Sequence, residues 1–129
     1  MKVAVTLFGV RVSPRFDGAP QVLIVDTAQD GERARQIVDL SVRSALQRVQ
    51  TLREWQVDVV ICGAIDQASC HLLCQADIEL YSWVTGTAEE ALQLFREGRL
   101  RSGVILRGRG KQPQRWRFRA GWGYRFDNG

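Results

Sequence analysis

The chain carries three cysteines and one histidine, the side chains best suited to hold a soft metal such as copper(I) or an iron–sulfur species. Cys62 stands apart from the others. It follows the β-branched run Val57 to Ile61 and opens the turn Cys62-Gly63-Ala64. At the carboxyl end of a strand its thiolate could ligate a metal; as a small, weakly polar side chain it would equally fill that strand end. Cys70, His71 and Cys74 lie close together, and helical spacing sets Cys70 and Cys74 one turn apart. His71 and Cys74 alone are too few ligands for a structural zinc site. Ser13 and Arg15, in the loop from Gly9 to Pro20, add a hydroxyl and a guanidinium that could bind an oxyanion or thiometalate.

Two glycine-bearing turns could supply further anion contacts. Gly63-Ala64-Ile65 and Thr85-Gly86-Thr87 each follow a strand-like run and precede a helical one. Backbone N–H groups at a helix N-terminus attract anions through exposed donors and the helix dipole. Plain capping is the alternative, since Thr87 with Glu90 three residues on has the form of a capping box.

Other chemistries lack their residues. A nuclease working through two metal ions needs several carboxylates on strand ends, and the first strand, KVAVTLF, has neither Asp nor Glu. Asp26 and Asp58 near strand boundaries do not complete such a set. A Ser/His/Asp hydrolase is unsupported, since its base would have to be His71, the one histidine of the chain.

These residues need elements to position them. Lys2 to Phe8 and Val22 to Asp26 read as buried strands. Ala28 to Gly31 ends in Asp-Gly, the strongest short hairpin signal, and Glu32 to Leu40 returns as a third strand. Ser41 to Trp55 has apolar residues at three- and four-residue spacing (Val42, Ala45, Leu46, Val49, Leu52, Trp55), a helical period with Ser41 as N-cap. Two β-α units follow: Val57 to Ile61 with its helix, then Ile78 to Trp83 with the helix Ala88 to Glu97. Parallel strands joined by a helix place both glycine turns on one edge of the sheet, where open α/β sheets bind ligands. The expected fold is α/β, a ribonuclease-H-like mixed five-stranded sheet flanked by helices.

At 129 residues, 45% of them hydrophobic, the chain is one domain's worth with a substantial core. Its net charge of +4 hides an asymmetry. Up to Leu100, 10 Lys and Arg stand against 13 Asp and Glu; from Arg101 on, 8 stand against 1. The division expected is a domain over residues 1–102 and a basic aromatic C-terminal extension over 103–129, with Gly103 to Leu106 a possible short strand. In that extension Arg115, Arg117, Arg119 and Arg125 alternate with Trp116, Phe118, Trp122, Tyr124 and Phe126. Such a segment suits docking on a partner or on a second copy of the chain; phosphate contacts with base stacking are the alternative. No signal peptide or membrane-spanning run is read, and an odd cysteine count without an export signal points to a reducing cytoplasm.

Four features in order carry a resemblance. They are the opening strand Lys2-Val3-Ala4-Val5, the segment Val12-Ser13-Pro14-Arg15-Phe16-Asp17 with Ala19-Pro20 and Val22 to Asp26, the run VDVVICGAI from Val57 to Ile65, and Gly86 to Leu92 with Gly98-Arg99-Leu100. Over about three-quarters of its length the chain resembles the dinitrogenase iron–molybdenum cofactor family of nitrogenase accessory and orange-protein-like domains. The resemblance implies a nitrogen-fixation-related, non-catalytic role in binding, carrying or assembling a metal–sulfur cofactor, iron–molybdenum or molybdenum–copper in type. It implies assembly or acceptor proteins as partners. The anionic cofactor would sit between Ser13, Arg15 and Phe16, Cys62, Gly63 and Ala64, and Thr85, Gly86 and Thr87, with Cys62 as the metal ligand and backbone amides as the remaining contacts. In the family register Cys70 points inward, while His71 and Cys74 point outward. The family usually has His where this chain has Arg15. Arginine stays protonated and does not ligate metals, so it would hold a cluster by charge and hydrogen bonds. A module of the same fold that has lost its cofactor, or a nucleic-acid binder working through the extension, are the rival readings.

Overall fold

The computed structural model of the chain describes residues 1–29 and 31–103. The elements are β1 (Lys2–Phe8), β2 (Arg11–Val12), β3 (Gln21–Ala28), β4 (Gly31–Asp39), α1 (Ala45–Glu54), β5 (Val59–Ile61), α2 (Gln67–Gln75), β6 (Glu79–Tyr81) and α3 (Ala88–Arg96). They build one mixed sheet in the order β4-β3-β1-β5-β6, with β2 paired to the end of β1. The β1-β3 and β3-β4 pairs are antiparallel, and β5 and β6 run parallel to β1. Alternation along the buried strands divides the core. Val3, Val5, Leu7, Val59 and Ile61 pack under α3 with Ala91 and Leu92. Ala4, Val60 and Cys62 face the other way, with Phe16, Val49 and Leu52 of α1, and Leu73 of α2.

Two expectations need correction. The sheet has six strands, not five. Gly9 turns in the left-handed region, φ +66°, and lets the chain double back so that Leu7 pairs with Val12 and Phe8 with Arg11. A two-residue strand is too short to show a period, which is why Gly9 to Pro20 read as plain loop. Helix α1 also starts later than Ser41. Ser44 is the N-cap, its hydroxyl accepting from the Gln47 amide while the Gln47 side chain accepts from the Ser44 amide. That reciprocal pair is a capping box, Ser-x-x-Gln, and it fixes the helix start at Ser44 in place of Ser41. Val42 is 92% exposed as a result and contributes nothing to the core.

Strand β4 is an edge and carries the charges that edges usually need. Arg35 bonds Glu32 and Glu89, both at 2.6 Å, and Arg96 reaches Glu32 at 3.0 Å, tying β4 to α3. The Arg35 hydrogen bond holds both carboxyls below their ordinary range near 4.5. Because these groups titrate lower when folded than when unfolded, the network stabilises fully above that range. Its contribution is lost as pH falls through the lowered folded values. Glu32→Gln is therefore expected to cost about 1 kcal/mol at neutral pH, where partly exposed pairs rarely give more, and progressively less in acid as the carboxyl protonates. Urea denaturation at neutral and acid pH checks this; a pH-independent loss would mean that the glutamate acts by packing.

Candidate cofactor site at the carboxyl edge

The chain from Val10 to Phe16 threads between the carboxyl ends of the parallel strands and fastens to both β-α turns. Val12 N–H donates to Gly86 O at 2.9 Å, and Ala88 N–H to Val10 O at 3.0 Å. Ala64 N–H donates to Pro14 O, and Phe16 N–H to Ala64 O, both at 2.8 Å. Arg11 bridges Thr87, and Arg15 bridges Ala64. Three segments distant in sequence are thus joined at one edge: Ser13 to Phe16, Cys62 to Ala64, and Thr85 to Thr87.

The joint is tight. A Cβ at Gly63 would lie 2.4 Å from Ser13 O and 2.5 Å from Pro14 O. The glycine thus permits close backbone approach. The amides expected to face an anion already have partners in the chain. Ala64 N–H is taken by Pro14, and Thr87 N–H by the Glu90 carboxylate in a full capping box. Helix α2 begins only at Gln67, where Asp66 caps Ser69 N–H. Gly63-Ala64 therefore precedes that helix without forming its N-terminus.

Cys62 is fully buried in the cluster facing α1 and α2. Burial, with Cys70 and the Asp66 carboxylate nearby, pushes its thiol well above the usual range, so at neutral pH it is a protonated, shielded group. Cys70 is half-buried, and His71 and Cys74 are exposed. Among the described residues no three His, Cys, Asp or Glu side chains converge to hold a metal ion. In the folded protein iodoacetamide is expected to modify Cys74 quickly and to leave Cys62 untouched until denaturant is added. Peptide mapping of the alkylated thiols reads this, and labelling of Cys62 at the rate of Cys74 would show a looser edge.

Beside Cys62 lie two buried polar groups that no motif announces. Thr6 and Ser82 are each 1% exposed, and neither hydroxyl has a hydrogen-bond partner. A buried, unsatisfied hydroxyl costs about 1–3 kcal/mol. A threonine inside an apolar strand gives no warning of this, since only the strand register brings it beside Cys62. The donor set at the edge suits an acceptor-rich anion, offering hydroxyl and thiol hydrogens on the buried side and Arg15 outside.

Arg15 is exposed, and its guanidinium grips Asp17 through two 3.0 Å hydrogen bonds, which hold the Asp17 carboxyl below its ordinary range. Arg48 is the more consequential arginine. Arg48 on α1 is 3% exposed and donates to the carbonyls of Phe16, Ala19 and Arg43. An arginine on a surface-type helix reads as solvated, and only the loop folded over it reveals a clamp. Exposed Phe8, Val10 and Trp83 rim the same edge, Trp83 in the left-handed region at φ +60°, an unusual backbone for a bulky residue.

The family described as "Dinitrogenase iron-molybdenum cofactor" matches residues 1–98, the span that holds every segment of this edge. The chain belongs to that family. A curated relative, the uncharacterized protein MJ0580 of Methanocaldococcus jannaschii, is 25% identical over 78% of this chain and 89% of its own. Among solved structures, the apo form of the orange protein from Desulfovibrio gigas is 27% identical, with a TM-score of 0.66 over 78% of this chain and 91% of that one. PH0822 superposes with a TM-score of 0.75 over 84% of this chain and all of that one; at 15% identity it speaks for the fold alone. In this family's frame the described residues include no helix long and apolar enough to cross a membrane.

Proposed function

We propose that the protein binds, carries or helps to assemble an anionic metal–sulfur cofactor of the iron–molybdenum or molybdenum–copper kind, and that it turns over no substrate. The observation that carries this reading is the family match over residues 1–98, with the segments read from the sequence meeting at the carboxyl edge. The cofactor is cargo. Arg15 would meet its negative charge from outside, Cys62 would ligate a metal after losing its proton, and Ser13 and Phe16, Gly63 and Ala64, and Thr85, Gly86 and Thr87 would shape the surrounding cradle. The present hydrogen bonds close that cradle, so loading requires the loop from Ser13 to Phe16 to lift.

The ribonuclease-H-like description belongs to this proposal. With β2 set aside, the sheet runs as three antiparallel strands followed by two parallel ones, the order expected of that fold. The division at residue 102 and the basic aromatic extension are likewise proposals, because residues 104–129 lie outside the described residues. We place the protein in the cytoplasm, where exposed Cys74 stays reduced. Assembly or acceptor proteins would be its partners.

One observation favours a second reading. The closed loop and the exposed Phe8, Val10 and Trp83 also suit an interaction module that has lost its cofactor. The test is anaerobic purification of the untagged protein from its native host, with metals, labile sulfide and visible spectrum measured together. The carrier reading expects stoichiometric molybdenum, iron or copper and a sulfur-to-metal charge-transfer band. A colourless, metal-free protein that also refuses a supplied iron–sulfur cluster or thiometalate would overturn it in favour of the module.

A further inference from the structure

The buried polar side chains among the described residues are Thr6, Ser13, Arg48, Thr51, Ser69 and Ser82. Four are satisfied within the protein. Ser13 donates to Arg15 O, Thr51 to Gln47 O, Ser69 to the Asp66 carboxylate, and Arg48 to three carbonyls. The two that are not, Thr6 and Ser82, occupy one place in the fold. Val5 pairs with Ile61, and Ile61 with Tyr81. One residue further along each strand stand Thr6, Cys62 and Ser82, and the Cys62 N–H bond to Tyr81 O carries the pairing that far. Alternation turns all three to the face of Ala4, Val60 and Leu80, away from α3. The orphaned hydroxyls thus flank the fully buried cysteine in a single row across the carboxyl ends of the three parallel strands.

Fold stability does not explain this row. Valine has the shape of threonine, alanine nearly that of serine, and neither would leave a buried group unsatisfied. Two hydroxyls flanking a thiol form a row of hydrogen-bond donors, with the Asp66 carboxylate, itself bonded to Ser69, the nearest negative charge to Cys62. Their complement is a ligand rich in acceptor atoms. We propose that Thr6 and Ser82 are cofactor contacts, the floor of the site, donating hydrogen bonds to the sulfido or oxo groups of an anionic metal–sulfur cluster seated over Cys62. This rests on the carrier reading and adds two residues that it does not require. The segment from Ser13 to Phe16 is then the roof over this floor.

The test uses the full chain with Thr6→Val and Ser82→Ala. Thermal unfolding is followed without ligand, and anaerobic titration with tetrathiomolybdate is followed by its visible absorption. The expected result is a divergence: each variant melts on the order of 5 °C higher than the unmodified protein and binds tetrathiomolybdate about tenfold more weakly. Equal affinity in all three proteins would overturn the proposal and leave the carrier reading intact. Lower melting temperatures for the variants would also overturn it, since the hydroxyls would then serve the fold, through a trapped water for example. Failure of the unmodified protein to take up any tetrathiomolybdate would sink both readings, and that result is visible before any variant is made.

Discussion

Arg48→Ala is expected to cost about 3–5 kcal/mol of folding stability, a large share of what a domain of this size possesses. The guanidinium is the common donor for the carbonyls of Phe16, Ala19 and Arg43. Its removal leaves buried acceptors unsatisfied at about 1–3 kcal/mol each, offset where water can enter. Burial lowers the pKa of Arg48, with the Asp17 charge opposing, yet arginine remains protonated throughout the working range. Arg48→Lys keeps the charge but presents an ammonium that cannot fork to three acceptors, so it should recover less than half of the loss. Urea denaturation of the three proteins decides the matter. A lysine variant as stable as the original would show that charge, and not the clamp, is what the site needs.

Gly63→Ala should be nearly as damaging, at about 3 kcal/mol, for a different reason. The added methyl would meet backbone oxygens of Ser13 and Pro14 and the Pro14 carbonyl carbon, the last at 2.7 Å. No rotamer change relieves a clash with main chain, so the loop must move as a unit. Its movement would break the Ala64–Pro14 and Phe16–Ala64 hydrogen bonds and uncover Cys62. Stability should therefore fall while the rate of Cys62 alkylation in the folded protein rises. A loss below about 1 kcal/mol with Cys62 still protected would place the loop away from Gly63 in solution.

The two effects show what a linear reading can and cannot reach. Buried strands such as Val22 to Val25 and the antiparallel pairing of β3 with β4 were legible because periodicity and turn chemistry are local properties. The meeting of Cys62, Thr85 and Ser13 at one edge followed from topology, since parallel strands must end on the same side. Arg48, Thr6 and Ser82 were illegible because their significance lies in what folds over them. A carbonyl at Ala19 and two buried hydroxyls beside Cys62 have no sequence signature. Gly63 reads as an anion-binding turn, and the observed contacts add a second demand on it, the close approach of the Ser13 and Pro14 backbone.

The stitching of Val10 and Val12 to Ala88 and Gly86 has a consequence for how the protein comes into being. Those partners lie near opposite ends of the domain's sequence, and joining them closes a long loop late, after the more local pairings have formed. During synthesis the cradle cannot exist until the third helix has left the ribosome. Until then the Ser13 to Phe16 segment already has its partner at Ala64, while the side of the cradle that Gly86 and Ala88 close stays open.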